Sequence, residues 1–94
     1  MAKHGVYAKE VNPIQPSNSY PNYYSITTGL YAENHGFVDN YMRDKSTGDL
    51  FLMGPHPNAS HAHWWDDAEP LWVTAEKHRI KTAMYGWEGC QVRS

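Results

Sequence analysis

Ninety-four residues suffice for one small domain with a modest buried fraction, and 40% hydrophobic with 19% charged residues is an ordinary globular composition. A formal net charge of −2 argues against a nucleic-acid binder, which carries a basic face, and no apolar run approaches the ~18 residues of a membrane span. The single cysteine, Cys90, is a free thiol in a reducing compartment and asks for a partner in an exported protein.

The opening MAKHGVYAKEV lacks the basic flank, apolar centre and small-residue cleavage site of a signal peptide. Residues 6–11 (VYAKEV) read as a short strand ended by Asn12-Pro13. Pro13 to Ser19 is a turn-rich loop. A helix is expected from about Tyr20 to Thr28, with Pro21 in the first turn and Gly29 as a left-handed cap. Tyr23, Ile26, Thr27 and Leu30 then share one face. Gly36 marks a turn, Phe37 to Met42 read as extended, and Leu50 to Met53 form a short apolar run after Ser46-Thr47-Gly48. Residues 54–63 (GPHPNASHAH) read as loop. A second helix is expected from about Pro70 to His78, its inner face formed by Leu71, Trp72, Ala75 and His78. Asp66, Asp67 and Glu69 stand near its positive end, and Lys77, His78 and Arg79 near its negative end. Residues 80–87 (IKTAMYGW) read as another strand, so the element order predicts an α/β layer with parallel strands.

The most informative segment is SNSYPNYYSITTGLYAENHG followed by VDN. Ser19 stands at the expected helix start, and the amide Asn40 follows a Gly-punctuated turn. Ser17, Asn18 and Ser19 also suit plain helix capping. A catalytic Ser19 needs a way to ionise its hydroxyl. A helix N-terminus supplies only ~0.3–1 kcal/mol, whereas each pKa unit requires ~1.4 kcal/mol. A zinc ion is sufficient, since it brings bound water from about 15.7 to about 7. A reactive Ser19 therefore implies a metal.

With Ser19 before Tyr20-Pro21-Asn22, TGLYAENHG and VDN, the segment resembles the nucleophile region of the ectonucleotide pyrophosphatase/phosphodiesterase family, in the alkaline phosphatase superfamily. The likeness runs from about Gly5 to Val92, through VYAKEVNPIQPS and WWDDAEPLWVTAEKHRIKTAMYGWEGC. The Ser in place of the commoner Thr, Tyr23-Tyr24, Asn40-Tyr41-Met42 and Gly89-Cys90 resemble the choline-specific glycerophosphodiester phosphodiesterase branch. The resemblance implies a partial alkaline-phosphatase-like sandwich, with residues 1–94 forming an N-terminal part of the catalytic domain. It implies that Ser19 contacts zinc, attacks phosphorus and forms a phospho-enzyme, and that Asn40 hydrogen-bonds a phosphate oxygen. Tyr20 would line the substrate cleft or, alternatively, serve as a hydrophobic staple to the helix.

The same likeness implies two zinc ions whose Asp and His ligands are, apart from the contact made by Ser19, missing from this sequence. The chain is therefore expected to be a fragment, inactive and unstable alone, with the partner of Cys90 elsewhere. It further implies an extracellular or cell-surface protein, where the sequon at Asn58 would carry a glycan. The implied substrate is a small phosphodiester, of the glycerophosphocholine or lysophosphatidylcholine type; the alternatives are a nucleotide diester or a catalytically inactive fragment. His56, His61 and His63 contain a His-x-His pair able to ligate zinc, but with no nearby Cys or evident supporting carboxylate they read as a solvated loop. His35 reads as a local turn residue, and Asp66 and Asp67 as helix-entry charge. Trp64, Trp65, Trp72 and Trp87 read as aromatic core more readily than as a cage for a quaternary ammonium.

Overall fold

The first helix, α1, spans Ser19–Thr28 in the computed structural model, which describes residues 1–54 and 56–92. Asn18 stands at its N-cap in extended conformation. Pro21 lies in the first turn, where a missing N–H leaves no helical bond unmade. Gly29 ends the helix at φ 71°, and its N–H bonds the Ser25 carbonyl at 2.9 Å. Punctuation by proline and glycine thus sets both ends where the sequence places them.

The buried face differs from the expected one. Tyr20, Pro21 and Tyr24 point inward, whereas Tyr23 is 40% exposed and Ile26 67% exposed. Tyr20 and Tyr24 are four residues apart and therefore stack along one side of the helix. Each tyrosine offers ~150–250 Å² of surface to bury, more than the aliphatic stripe they displace.

A second, single-turn helix, α2, spans Ala32–His35 and ends at Gly36. His35 is fully buried and ties the two helices together. Its Nδ1 accepts the Phe37 N–H at 3.1 Å, so the ring proton resides on Nε2. Nε2 faces the Pro21 carbonyl at 3.1 Å and the Ser25 Oγ at 2.9 Å. The expectation of a locally bonded turn histidine holds.

Strands β1 (Met42–Arg43) and β2 (Leu50–Phe51) pair antiparallel, Met42 opposite Phe51 and Arg43 opposite Leu50. This is the one sheet among the described residues, so the expected parallel layer is corrected. Residues 6–11 and 80–87 have no strand structure. Val6, Tyr7, Val11 and Tyr85 are exposed, and a strand without a bonded neighbour has no ladder to satisfy its backbone. Two 3₁₀ turns, Pro57–Ser60 and Ala62–Trp64, replace much of the expected loop, in which Pro55 lies outside the described residues. The last helix, α3, spans Leu71–Lys77 with Pro70 at its N-cap. It half-buries Trp72, Val73 and Ala75 but exposes Leu71 and His78, a narrower inner face than expected.

The core is an aromatic cluster of Tyr20, Tyr24, Phe37, Phe51 and Trp65, closed by Ala59. Phe37 lies at its centre: its ring centroid is 4.5 Å from Trp65, 5.1 Å from Phe51 and 5.2 Å from Tyr24. The Tyr24 and Phe51 contacts are edge-to-face, the geometry ring quadrupoles favour. The polar ends are satisfied too. Tyr24 donates to the carbonyls of Trp65 (2.6 Å) and Ala68 (3.0 Å), and Trp65 Nε1 donates to Ala59 (2.9 Å). Burial pushes the Tyr24 phenol up to about 12. Gly89 closes over Trp65 at φ 87°, where a Cβ would lie 2.4 Å from the indole.

Two outcomes test this core. Phe37→Ala should destabilise the chain by about 3–5 kcal/mol in a denaturant titration, because its neighbours are anchored by hydrogen bonds and cannot collapse into the space. Burial also holds His35 below its ordinary value of 6.5, so the native state refuses a proton that the unfolded chain accepts. Stability should be level above that pH and fall as the pH drops through it, and His35→Gln should flatten the fall. Equal pH slopes in the two proteins would contradict this role for His35.

Candidate functional site

The start of α1 is built by a small polar network. Asn40 Oδ1 accepts the Tyr20 N–H at 2.9 Å, satisfying one of the orphan amides of the first turn. An N–H can bond only the oxygen of an amide, so the Asn40 NH₂ group is the end this bond does not use. Asp39 fixes the turn that delivers it. One oxygen of its carboxylate accepts the Asn40 N–H at 2.6 Å and the Asn18 amide at 2.7 Å. On the other side, Asn22 braces the incoming loop: its Oδ1 accepts the Ile14 N–H at 2.9 Å and its NH₂ donates to the Pro16 and Asn18 carbonyls.

Ser19 is the first residue of α1 and is exposed. The structure therefore brings Ser19 and Asn40 together at one helix end, across twenty-one residues of sequence. An exposed serine and the amide of Asn40 thus share the positive end of a ten-residue helix. Asp39 and Asn22 are positioning residues that the sequence reading missed. The signal was present in VDN and YPN, since Asp and Asn next to a turn or helix start favour local backbone bonds.

Tyr20 turns its ring into the core. It is 6% exposed, with its ring 5.0 Å from Phe51 and 6.2 Å from Phe37. Its hydroxyl accepts the Gly54 N–H at 3.2 Å and donates to Glu88 at 3.0 Å. Burial raises its pKa, and the Glu88 contact adds to the rise. Here the ring anchors the core, and only the hydroxyl reaches the concavity between Gly54, His56, Ser60 and Gln91. Trp65 is likewise committed to the core, while Trp64 packs on Phe51 and Trp87 on Tyr23. These three indoles are not assembled as a cage.

Asn58 is half-buried in the first 3₁₀ turn, with its NH₂ 3.4 Å from Asp49. Cys90 is exposed and free. No helix among the described residues is long and apolar enough to cross a membrane. The one group of three metal-ligating side chains among them is Asp49, His61 and His63, which lies on neither α1 nor the Asn40 turn. No such group among the described residues lies at the start of α1, so they do not themselves hold the implied zinc pair.

Ser19 and Asn40 thus both stand at the N-terminus of α1, and comparisons with known proteins place the whole chain in a family. Residues 1–94 match the Type I phosphodiesterase / nucleotide pyrophosphatase family, and the chain belongs to it. It is 42% identical over 90 residues to a bis(5′-adenosyl)-triphosphatase of Xenopus laevis, covering 96% of this chain and 19% of the relative. It is 37% identical over 92 residues to human ectonucleotide pyrophosphatase/phosphodiesterase family member 1, covering 98% of this chain and 10% of that protein. Among solved structures, an inactive variant of murine ectonucleotide pyrophosphatase/phosphodiesterase 5 in complex with AMP superposes with a TM-score of 0.70 at 34% identity. That superposition covers 79% of this chain and 20% of the other. The chain thus spans a fifth or less of these relatives' lengths.

The Asn40 bond to Tyr20 can be separated from the free end of the amide. Asn40→Ala should cost about 1 kcal/mol of stability through the lost cap, whereas Asn40→Asp keeps the acceptor and should stay within about 0.5 kcal/mol of the parent. Thermal melts of the two variants measure the difference.

Proposed function

We propose that this chain carries the nucleophile of a phosphoric diester hydrolase and that Ser19 is that nucleophile. The observation behind this reading is the Asn40–Tyr20 bond, which holds the Asn40 amide at the helix N-terminus that an exposed serine begins. In this mechanism the Ser19 oxygen attacks phosphorus in line, the leaving alcohol departs from the opposite side, and water then releases the phosphoryl group from serine. Asn40 donates to a non-bridging oxygen as charge builds there. The helix start adds a further small stabilisation of the same charge. A zinc pair, when bound, supplies the charge that ionises the serine. Its other ligands have to come from residues outside this sequence.

For the substrate, the names of the relatives favour a nucleotide diester or pyrophosphate: one is a bis(5′-adenosyl)-triphosphatase, and one solved neighbour holds AMP. The choline-diester reading retains the serine in place of the family's commoner threonine. It gains nothing from Trp64 and Trp65, which pack in or against the core. The "ecto" names of several relatives support an extracellular or cell-surface setting, with Asn58 as a glycan acceptor and Cys90 as half of a disulfide.

The test is hydrolysis by the full-length protein of an ATP-like diester and of glycerophosphocholine. Ser19→Ala should lower kcat/KM by at least about a thousandfold, or about 4 kcal/mol. Asn40→Asp should lower it by about a hundred- to a thousandfold while leaving the fold intact. Full activity in Ser19→Ala would refute the assignment. A preference for glycerophosphocholine would restore the choline reading.

A further inference from the structure

The hairpin turn and the second 3₁₀ turn carry a second group of chemistry-bearing side chains. Asp49 Oδ2 receives two histidines at once: His61 Nδ1 at 2.8 Å and His63 Nε2 at 2.8 Å. The three potential ligand atoms lie within 4.8 Å of one another. The His61 backbone is extended, at φ −65° and ψ 126°, between the two 3₁₀ turns, and this lets both rings of the His-x-His pair reach one carboxylate. The other Asp49 oxygen is held by the Leu50 N–H at 2.9 Å and the Asn58 amide at 3.4 Å, which leaves Oδ2 turned toward the rings. The two histidine contacts hold the Asp49 carboxyl down, to about 2.

The supporting carboxylate not evident in the sequence is Asp44. Its Oδ2 lies 3.8 Å from His63 Nδ1, the ring nitrogen that does not face Asp49. Asp44 is itself fixed by the Ser46 N–H at 2.9 Å, the Ser46 hydroxyl at 2.7 Å and the Thr47 hydroxyl at 2.9 Å. A carboxylate behind a ligating imidazole orients the ring and raises its basicity. The ion-pair partners of Asp44 and Asp49 among the described residues are these histidines.

We propose that Asp49, His61 and His63 form a binding site for one divalent transition-metal ion of the zinc type, oriented by Asp44 and built without Ser19 or Asn40. Two imidazole nitrogens and one carboxylate oxygen make a borderline ligand set that suits zinc, cobalt or nickel and disfavours magnesium and calcium. Three protein ligands leave a fourth, tetrahedral position for water or another small ligand. Metal bonds of about 2.0–2.1 Å place tetrahedral ligand atoms about 3.3 Å apart, so the 2.8 Å contacts need open by only about half an ångström. The side chains have room to do so, being 49% (His61), 37% (His63) and 20% (Asp49) exposed. The protons balance without an outside acceptor. Each neutral imidazole carries one N–H, which moves to Nε2 of His61 and to Nδ1 of His63, where Asp44 faces it, while the other nitrogen binds the metal.

The test is a cobalt(II) titration of the full chain, read by visible absorption and by bound metal after equilibrium dialysis, with zinc, magnesium and calcium as competitors. The expected result is one tightly held cobalt that zinc displaces and a large excess of magnesium or calcium does not. His61→Gln and His63→Gln should each weaken that binding at least tenfold, and Asp44→Asn by about tenfold. His4→Gln should leave it unchanged as a control for stray surface histidines. His61 and His63 are surface-exposed, so far-UV circular dichroism should report an unchanged fold for their variants, and Asp49→Asn is a fourth variant if Asp44→Asn disturbs the turn. Undiminished cobalt binding in the His61→Gln, His63→Gln double variant would overturn the proposal, as would an equal loss in His4→Gln. Ser19→Ala should not alter this binding, so the site stands or falls separately from the hydrolase reading.

Discussion

The packing of Phe37 against Trp65, Phe51 and Tyr24 is the contact on which the other features depend. The secondary structure alone is too slight to hold the chain: strands of two residues, a helix of four and one of seven are below what isolated elements need in water. Their backbone bonds are mostly local, so the long-range order comes from side chains. The aromatic rings reach from α1, the turn after α2, β2 and the 3₁₀ region into one cluster. The hydroxyls of Tyr20 and Tyr24 bond distant segments and Trp65 Nε1 bonds the neighbouring 3₁₀ turn, which adds direction to an otherwise non-directional burial.

That cluster also explains how an exposed pair comes to be well placed. Ser19 adjoins Tyr20, and Asn40 follows Phe37 by three residues, so each outward group is one short step from a buried ring. The polar links through Asp39 and Asn18 lock the remaining freedom. A serine and an amide on mobile loops would spend binding energy on being ordered, whereas here the core has ordered them in advance. The exposure of Ser19 and the burial of Tyr20 are two sides of the same placement.

What the sequence made legible follows the same division. Helix ends were readable because proline and glycine act locally: Pro21, Gly29 and Gly36 do what their covalent geometry allows. The Ser19–Asn40 pairing was readable through family likeness and not through any periodicity. The inward face of α1 differs from the Tyr23, Ile26, Thr27 and Leu30 stripe, because helical spacing says nothing about which neighbours exist to cover a face; Tyr20 and Tyr24 had Phe37 and Trp65. The strands expected at 6–11 and 80–87 failed for a related reason. Val and Tyr favour extended backbone, but extension becomes a strand only beside another one.

The Asp49 group was the least legible of all, and the reason is geometric. His61 and His63 advertise a metal pair by spacing, yet their third ligand lies twelve residues upstream in a hairpin turn, and Asp44 lies seventeen residues before His61. Only the antiparallel pairing of Met42 with Phe51 folds those acids back toward the histidines. The core thus assembles two polar groups of opposite character: at α1 it presents hydrogen-bond donors and the positive end of a helix, a setting for an anion, and at the hairpin it gathers carboxylates and imidazole lone pairs, a setting for a cation. Phe51 ends the strand that follows Asp49 and packs against Tyr20, the neighbour of Ser19. A core substitution that moves Phe51 therefore disturbs both polar groups together, whereas exchanges confined to Asn40 or His61 act on one alone.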